Sequence, residues 1–196
     1  MIRIFDLTIS FFLIIILFPL LIIVSILIVM ESKGGIFFKQ IRVGKNSMDF
    51  KLYKFRTMYV DSEDKSQLTK STKDPRITKM GYFLRKYKID ELPQIFNVIL
   101  GEMSFVGPRP EVRRYVDLYS ESQLKVLTVL PGLTDFASIE YIDESELLSQ
   151  SDDPEQLYCS TIMPEKIKLN MKFINNQSVK IYFLIIWKTI KKIINL

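Results

Sequence analysis

A chain of 196 residues can enclose one hydrophobic core but not two full-sized domains. It has no histidine and one cysteine, Cys159, which excludes an intrachain disulfide, Ser-His and Cys-His nucleophile systems and nearly all zinc sites. The net charge of +5 is modest but segregated: residues 115–165 hold eleven acids against Lys125 alone, and seven lysines with no acid follow Glu165. Such blocks predict a basic surface for phosphates or anionic lipid and an acidic one kept in water.

Residues 11–30 form an apolar run broken only by Pro19 and Ser25, long enough to cross the hydrocarbon layer as a helix. No small-residue cleavage site follows, so a secretory signal does not fit. Arg3 lies on one side of the run, and Lys33, Lys39, Arg42 and Lys45 on the other. Both ends therefore prefer the cytoplasm, which a simple span cannot satisfy and a helix that enters, bends and returns can. Pro19, near the middle, removes one helical hydrogen bond and biases Phe18 away from helical angles. Span and re-entrant hairpin both remain open on these grounds.

Residues 36–43 and 49–56 alternate as two strands joined by a turn at Gly44-Lys45-Asn46-Ser47. Residues 59–73 are polar and charged, the pattern of a mobile loop near the membrane surface. Thr78 is placed to cap a helix through residue 87, and Asp90 to cap the next through residue 100, which Gly101 closes. Residues 103–106 form a short extended piece ending in Gly107-Pro108-Arg109-Pro110, where two prolines hold Arg109 in a defined direction. Helices are predicted over 111–118, 121–129, 144–150 and 154–174, with a short extended stretch at 134–141. Over 179–194 a basic arc containing Lys188, Lys191 and Lys192 opposes Ile and Trp187, so this helix either lies among lipid headgroups or docks on the core.

Without histidine, carboxylates become the leading groups for covalent or acid–base work. Asp90-Glu91 follows Arg85, Lys86 and Lys88. A carboxylate can attack phosphorus and leave a covalent intermediate for a second acceptor, and hard oxygen ligands favour magnesium. Lys54, Arg56, Arg85 and Arg109 are available to clamp phosphate oxygens. On a helix, residues 90 and 91 point about 100° apart, so the two would take different roles. The plainer reading makes Asp90 a helix cap, Glu91 a first-turn charge and the arginines solvated surface, in a membrane-anchored interaction module without catalysis.

Five motifs occur in order: Lys54-Phe55-Arg56-Thr57-Met58, Asp74-Pro75-Arg76-Ile77-Thr78, Asp90-Glu91-Leu92-Pro93-Gln94, Met103-Ser104-Phe105-Val106-Gly107-Pro108-Arg109-Pro110 and Pro131-Gly132-Leu133-Thr134. Together they resemble the bacterial sugar transferase family, the small monotopic phosphoglycosyl transferases, over essentially the whole chain. The resemblance implies a mostly α fold with a small β element: a membrane re-entrant helix over 1–32 and a compact cytoplasmic catalytic domain over 33–196, whose C-terminal amphipathic helix is interfacial. It thus favours the hairpin over the span, at the cytoplasmic face of the bacterial inner membrane.

The implied reaction moves a sugar-1-phosphate from a UDP-sugar to polyprenyl (undecaprenyl) phosphate with release of UMP, the first membrane step of surface glycan biosynthesis. By resemblance Asp90 is the nucleophile and holds Mg2+, and Glu91 is a supporting acid/base. Lys54, Arg56, Arg85 and Arg109 contact substrate phosphates, with Thr134 also in the substrate site. Downstream glycosyltransferases would take the product, and no nucleic acid partner is implied. Two departures stand out. Phe18-Pro19 replaces the frequent Ser-Pro, and Leu133 and Asp135 replace two residues of Pro-Gly-Ile-Thr-Gly, Asp135 adding a charge that bears on which sugar fits. Hexoses and N-acetylated amino sugars both suit the pattern, with selection expected over 134–141 and the acidic helices that follow. The chain resembles the family's minimal form, without the extra N-terminal membrane domain of longer members.

Overall fold

The computed structural model describes residues 2–60 and 74–194. Helix α1, Ile2–Glu31, runs unbroken as an element with Pro19 inside it. It is long and apolar enough to cross a membrane. It packs on the rest of the protein from both ends: Asp6, Ser10, Val24 and Ile28 are buried, Leu13 and Leu21 are partly buried against the body, and no residue from 11 to 23 is fully buried. At its start, Arg3 donates to the carbonyls of Val98 (2.5 Å) and Ile99 (2.9 Å). Asp6 Oδ1 accepts from Ser104 Oγ (2.9 Å), Phe105 N (3.1 Å) and Tyr182 Oη (2.7 Å). At its far end, the Glu31 carboxylate accepts from the backbone of Lys79 (2.8 Å) and Met80 (3.0 Å). Both ends are thus tied by polar bonds to one body, and the apolar middle stands bare.

The expected hairpin forms from β1, Phe37–Val43, and β2, Asp49–Phe55, antiparallel from Phe37 opposite Phe55 to Val43 opposite Asp49. Positive φ at Asn46 and Ser47 turns the loop. The edge of β2 is closed by a side chain: Asn97 Oδ1 accepts from Tyr53 N (3.0 Å), and its amide donates to Lys51 O (2.7 Å). The polar loop expected over 59–73 lies, from residue 61 onward, outside the described residues.

Helix α2, Lys79–Lys86, begins as expected, with Thr78 Oγ1 accepting from Gly81 N. The single helix expected over 90–100 does not form. Lys88, in the left-handed region (φ 55), turns the chain into a 3-10 turn, Ile89–Glu91, and α3, Gln94–Leu100, starts only after Pro93. Pro93 cannot donate a helical hydrogen bond but is accepted at a helix start, so it sets the beginning of α3. Asp90 is therefore not the cap of α3.

Strand β3, Ser104–Val106, pairs in parallel with β4, Gly132–Thr134. The two strands meet at glycines: a Cβ on Gly132 would lie 2.1 Å from Gly107 N, closer than real contacts allow. The second extended stretch expected, 134–141, is a helix for most of its length. Asp135 caps α6, Phe136–Glu140, by accepting from Ser138 N, and this local cap overrides the alternation.

Short helices α4 (Arg113–Val116), α5 (Glu121–Leu124) and α7 (Glu144–Ser149) follow the predicted segments at reduced length, whereas α8 (Pro154–Leu157) opens a helical run that continues to Asn175 and fills the predicted 154–174. Between α8 and α9, Met163–Asn175, residues Tyr158–Ile162 widen into a π-helix. Pro164, which lacks an N–H and crowds the carbonyl four residues back, accounts for that widening.

Helix α10, Val179–Ile194, carries three stripes. Tyr182 and Ile185 are fully buried, Phe183, Trp187 and Ile190 are exposed, and Lys180, Lys188 and Lys191 form the third. The docked face expected of this helix is thus present, and an apolar face beside it is left exposed. Phe183 meets Phe5 of α1 edge to face at 5.2 Å, so the bare surfaces of α1 and α10 adjoin.

Three apolar clusters hold the body: one around Leu52, Val98, Met103, Tyr182 and Ile185, one around Val24, Ile28, Phe55 and Leu84, and one around Tyr115, Tyr158, Ile162 and Ile167. The first two involve α1 or α10, and the third involves neither.

Candidate active site

Three chain segments converge on the carboxylate pair. β2 delivers Lys54, the 3-10 turn delivers Asp90 and Glu91, and the loop after β3 delivers Arg109. That loop is fixed by its prolines and by Asp135, whose Oδ2 accepts from Arg109 N at 2.9 Å. The Gly107–Gly132 contact brings the loop close to β4 with no room for a side chain.

The two carboxylates differ in environment. Glu91 Oε1 receives Lys54 Nζ at 2.9 Å and Arg109 Nη2 at 2.5 Å, while Oε2 faces Arg109 Nη1 at 3.3 Å. Burial opposes its ionisation, but Arg109 and Lys54 together outweigh it and hold the carboxyl well below the usual range. Burial pushes the Lys54 ammonium down, partly offset by Glu91. Asp90 is 7% exposed, and its Oδ1 has no hydrogen-bond partner among the described residues. Burial and then the charge of Glu91 raise the Asp90 carboxyl, with Lys54 and Arg85 offsetting only part. A buried acceptor left without a donor is costly and uncommon. Glu91 is saturated by cations, and Asp90 is kept open.

Of the remaining residues singled out in the sequence, Arg85 donates from Nε to Thr57 Oγ1 (2.9 Å), and its charge is felt at Asp90. Arg56 is directed elsewhere: it is buried and donates to Ser32 O and Lys33 O, both at 2.7 Å, closing the carboxyl end of α1. Thr134 pairs its hydroxyl with Thr189 of α10 at 2.6 Å. The structure therefore brings Lys54, Asp90, Glu91 and Arg109 together with Arg85 nearby, while Arg56 and Thr134 hold helices in place.

The donor set limits which metal fits. Among the described residues no group of three or more acidic or cysteine side chains gathers, so a cage built from protein alone is absent there. Magnesium needs none: it keeps most of its waters and takes one or two carboxylates plus substrate phosphates. The open Oδ1 of Asp90 fits that requirement, whereas both Glu91 oxygens are already engaged.

Sequence reasoning passed over several residues. Gln94, 2% exposed, has an Nε2 without a partner among the described residues, one turn beyond Asp90. Asn97 orients backbone, accepting from Tyr53 N and donating to Lys51 O; Asp135, singled out in the sequence for its charge, instead accepts from Arg109 N and Ser138 N. Glu111 accepts from Arg42 (3.3 Å) and from Tyr158 Oη. Polar side chains inside an apolar helical segment, as at Gln94 and Asn97, were the available signal.

The family model described as bacterial sugar transferase matches residues 1–196. The undecaprenyl-phosphate glucose phosphotransferase of Komagataeibacter xylinus is 37% identical over 197 residues, covering 97% of this chain and 35% of the relative. The UDP-N-acetylgalactosamine-undecaprenyl-phosphate N-acetylgalactosaminephosphotransferase of Aeromonas hydrophila is 36% identical over 179 residues, 90% of this chain and 39% of the relative. A putative undecaprenyl-phosphate N-acetylgalactosaminyl 1-phosphate transferase of Bacillus subtilis (strain 168) is 44% identical over 116 residues, 59% of this chain and 61% of the relative. The chain thus spans between about a third and three fifths of the length of these relatives.

Proposed function

This chain belongs to the bacterial sugar transferase family, and we propose that it transfers a sugar-1-phosphate from a UDP-sugar to undecaprenyl phosphate through an ester formed on Asp90. The names of its relatives, which act on undecaprenyl phosphate, support the substrate class. The observation that carries the Asp90 assignment is the contrast between two neighbouring carboxylates: Glu91 is held by Lys54 and Arg109, and Asp90 Oδ1 is buried and open. A carboxylate whose proton affinity is raised by burial is also the better nucleophile of the pair.

In the first half-reaction an Asp90 oxygen attacks the β-phosphorus of the donor. The bond from that phosphorus to the oxygen bridging the two phosphates breaks, and UMP leaves with that oxygen. In the second, an oxygen of the lipid phosphate attacks the same phosphorus. The bond to Asp90 breaks and the carboxylate is restored, with no net proton required. Arg109 and Lys54 form a cationic wall beside the reacting phosphates, and Glu91 keeps both oriented and charged. Magnesium held at Asp90 and the donor phosphates would neutralise negative charge developing on the phosphate oxygens.

The reaction joins a water-soluble donor to a lipid acceptor, so it belongs at the headgroup plane. We place the bare middle of α1 in one leaflet of the cytoplasmic membrane, the exposed stripe of α10 at its surface and the remaining body on the cytoplasmic face. The adjoining apolar surfaces of α1 and α10 and the polar ties at both ends of α1 support this placement.

Incubating purified protein with magnesium and UDP-sugar labelled in the sugar, without lipid, tests the covalent step. Label retained after acid quench on wild type and absent from Asp90→Asn is expected. UMP release that strictly requires lipid, with no labelled protein, would instead indicate direct attack by the lipid phosphate and remove the nucleophile role from Asp90.

A further inference from the structure

Beyond the carboxylate pair, a cleft opens between the Arg109 loop, the end of β1 and helix α9. Its wall includes Arg109, Glu111, Tyr119, Tyr158, Lys166 and Asn170. It has a volume of about 40 Å³ and is partly open to solvent.

The charged groups on this wall already have partners. Arg109 forks onto Glu91, Glu111 is engaged by Arg42 and Tyr158, and Lys166 Nζ lies 2.6 Å from Glu144 and 5.4 Å from the centre of the Tyr158 ring. The one buried side-chain N or O atom of the lining without a partner among the described residues is Asn170 Oδ1, on a residue 5% exposed. A free phosphate finds no unpaired cation here. A flat neutral group with an N–H at its edge finds an acceptor, a neighbouring amide donor and tyrosine rings.

We infer that this cleft receives the pyrimidine base of the nucleotide donor, with the Asn170 carboxamide reading its Watson–Crick edge; this rests on the donor being a UDP-sugar, as proposed above. Uracil presents N3–H between two carbonyls, and a carboxamide offers an acceptor and a donor in one plane to match it. Tyrosines on the wall suit a base as they do wherever single nucleotides are recognised. Arg109 lines the cleft and also holds Glu91, so a base seated there directs its diphosphate toward Asp90. Among the described residues, neither the cleft lining nor the Tyr115–Ile167 cluster beneath it includes any residue of α1 or α10. A water-soluble nucleotide therefore enters without crossing the apolar surface.

The test uses the full chain in detergent and 4-thio-UMP, which crosslinks on illumination to whatever touches its base. Adducts on the peptides carrying Tyr119, Tyr158 or Asn170, displaced by excess uridine, are expected. Adducts confined to other peptides would overturn the inference. In parallel, calorimetric titration of UMP into Asn170→Asp, of the same size, and Asn170→Leu should show at least a tenfold loss of affinity. The KM for the UDP-sugar should rise while that for lipid phosphate stays unchanged. Unaltered UMP affinity in a variant melting with wild type would also overturn it. Crosslinks elsewhere alongside an intact Asp90 adduct would reject this cleft and leave the proposed reaction standing. Crosslinks in the cleft without an Asp90 adduct would reject the covalent step alone.

Discussion

Asp90 and Glu91 share a turn and differ in what surrounds them, and the difference makes a pH prediction with a definite sign. Asp90 titrates above its unfolded range because burial, and then Glu91, disfavour its charge. Holding it ionised in the fold therefore costs stability. That cost is absent below about pH 4, where the unfolded carboxyl is also protonated, and grows as pH rises through the folded value. Asp90→Asn should melt with wild type in acid and above it at neutral pH, while turnover falls by roughly three orders of magnitude or more. A melting difference independent of pH would contradict the burial argument.

Glu91→Gln has the opposite sign. The pairing of Glu91 contributes stability above about pH 4.5 that is lost as pH falls through its lowered value. Removing its charge leaves Lys54 and Arg109 facing each other uncompensated. A loss on the order of 2–3 kcal/mol is expected at pH 7 from chemical denaturation, below the full penalty for a broken buried pair because the Arg109 side chain keeps 38% exposure. The gathering of Lys54 and Arg109 about the Asp90–Glu91 pair joins residues that the sequence had singled out together. The destinations of Arg56 and Thr134 were not legible there, because motif order names residues and not the direction a side chain takes.

At the scale of elements, one buried carboxylate joins three of them. Asp6 of α1 accepts from Ser104 Oγ and Phe105 N of β3 and from Tyr182 Oη of α10. Asp6→Ala strands two buried hydroxyls and a backbone N–H, each costing about 1–3 kcal/mol when unpaired, with relaxation recovering part. A net loss of about 2–4 kcal/mol, visible as a lower melting midpoint in detergent, is expected. Tyr182→Phe, which removes one donor and leaves Asp6 two others, should cost about 1 kcal/mol. Equal effects of the two changes would show that Asp6 is not the shared acceptor.

The elements that local rules specify were readable: the β1–β2 hairpin from alternation, α2 from Thr78, and α10 from its amphipathic arc. The segments misread were those where a non-local or single-residue effect dominates. The Asp90 helix was cut short by the left-handed Lys88 and by Pro93, and the stretch after Thr134 curled into α6 because Asp135 capped it. The closing of the β2 edge by Asn97 joins residues more than forty apart, which no local window contains.

For the whole molecule, the decisive relation is between the length of α1 and where its ends are tied. A straight helix of 30 residues is about 45 Å long, against about 30 Å of hydrocarbon. Were α1 a through-span, Arg3 and Asp6 would emerge on the side opposite Glu31. Their partners Val98, Ser104 and Tyr182 pack in the same body as the Glu31 partners Lys79 and Met80. That body cannot lie on both sides at once, so both ends of α1 should face one compartment. With Cys159 replaced by serine, single cysteines at Ile4 and Lys33 should both react with an impermeant maleimide in inverted vesicles and both resist it in intact cells. A cysteine at Phe18, 57% exposed in the fold, should resist it in either preparation and react once detergent strips the lipid. Labelling of Ile4 and Lys33 from opposite sides would establish a span. Ready labelling of Phe18 in vesicles would place the middle of α1 in water, and with it the donor and acceptor could no longer be said to meet at the headgroup plane.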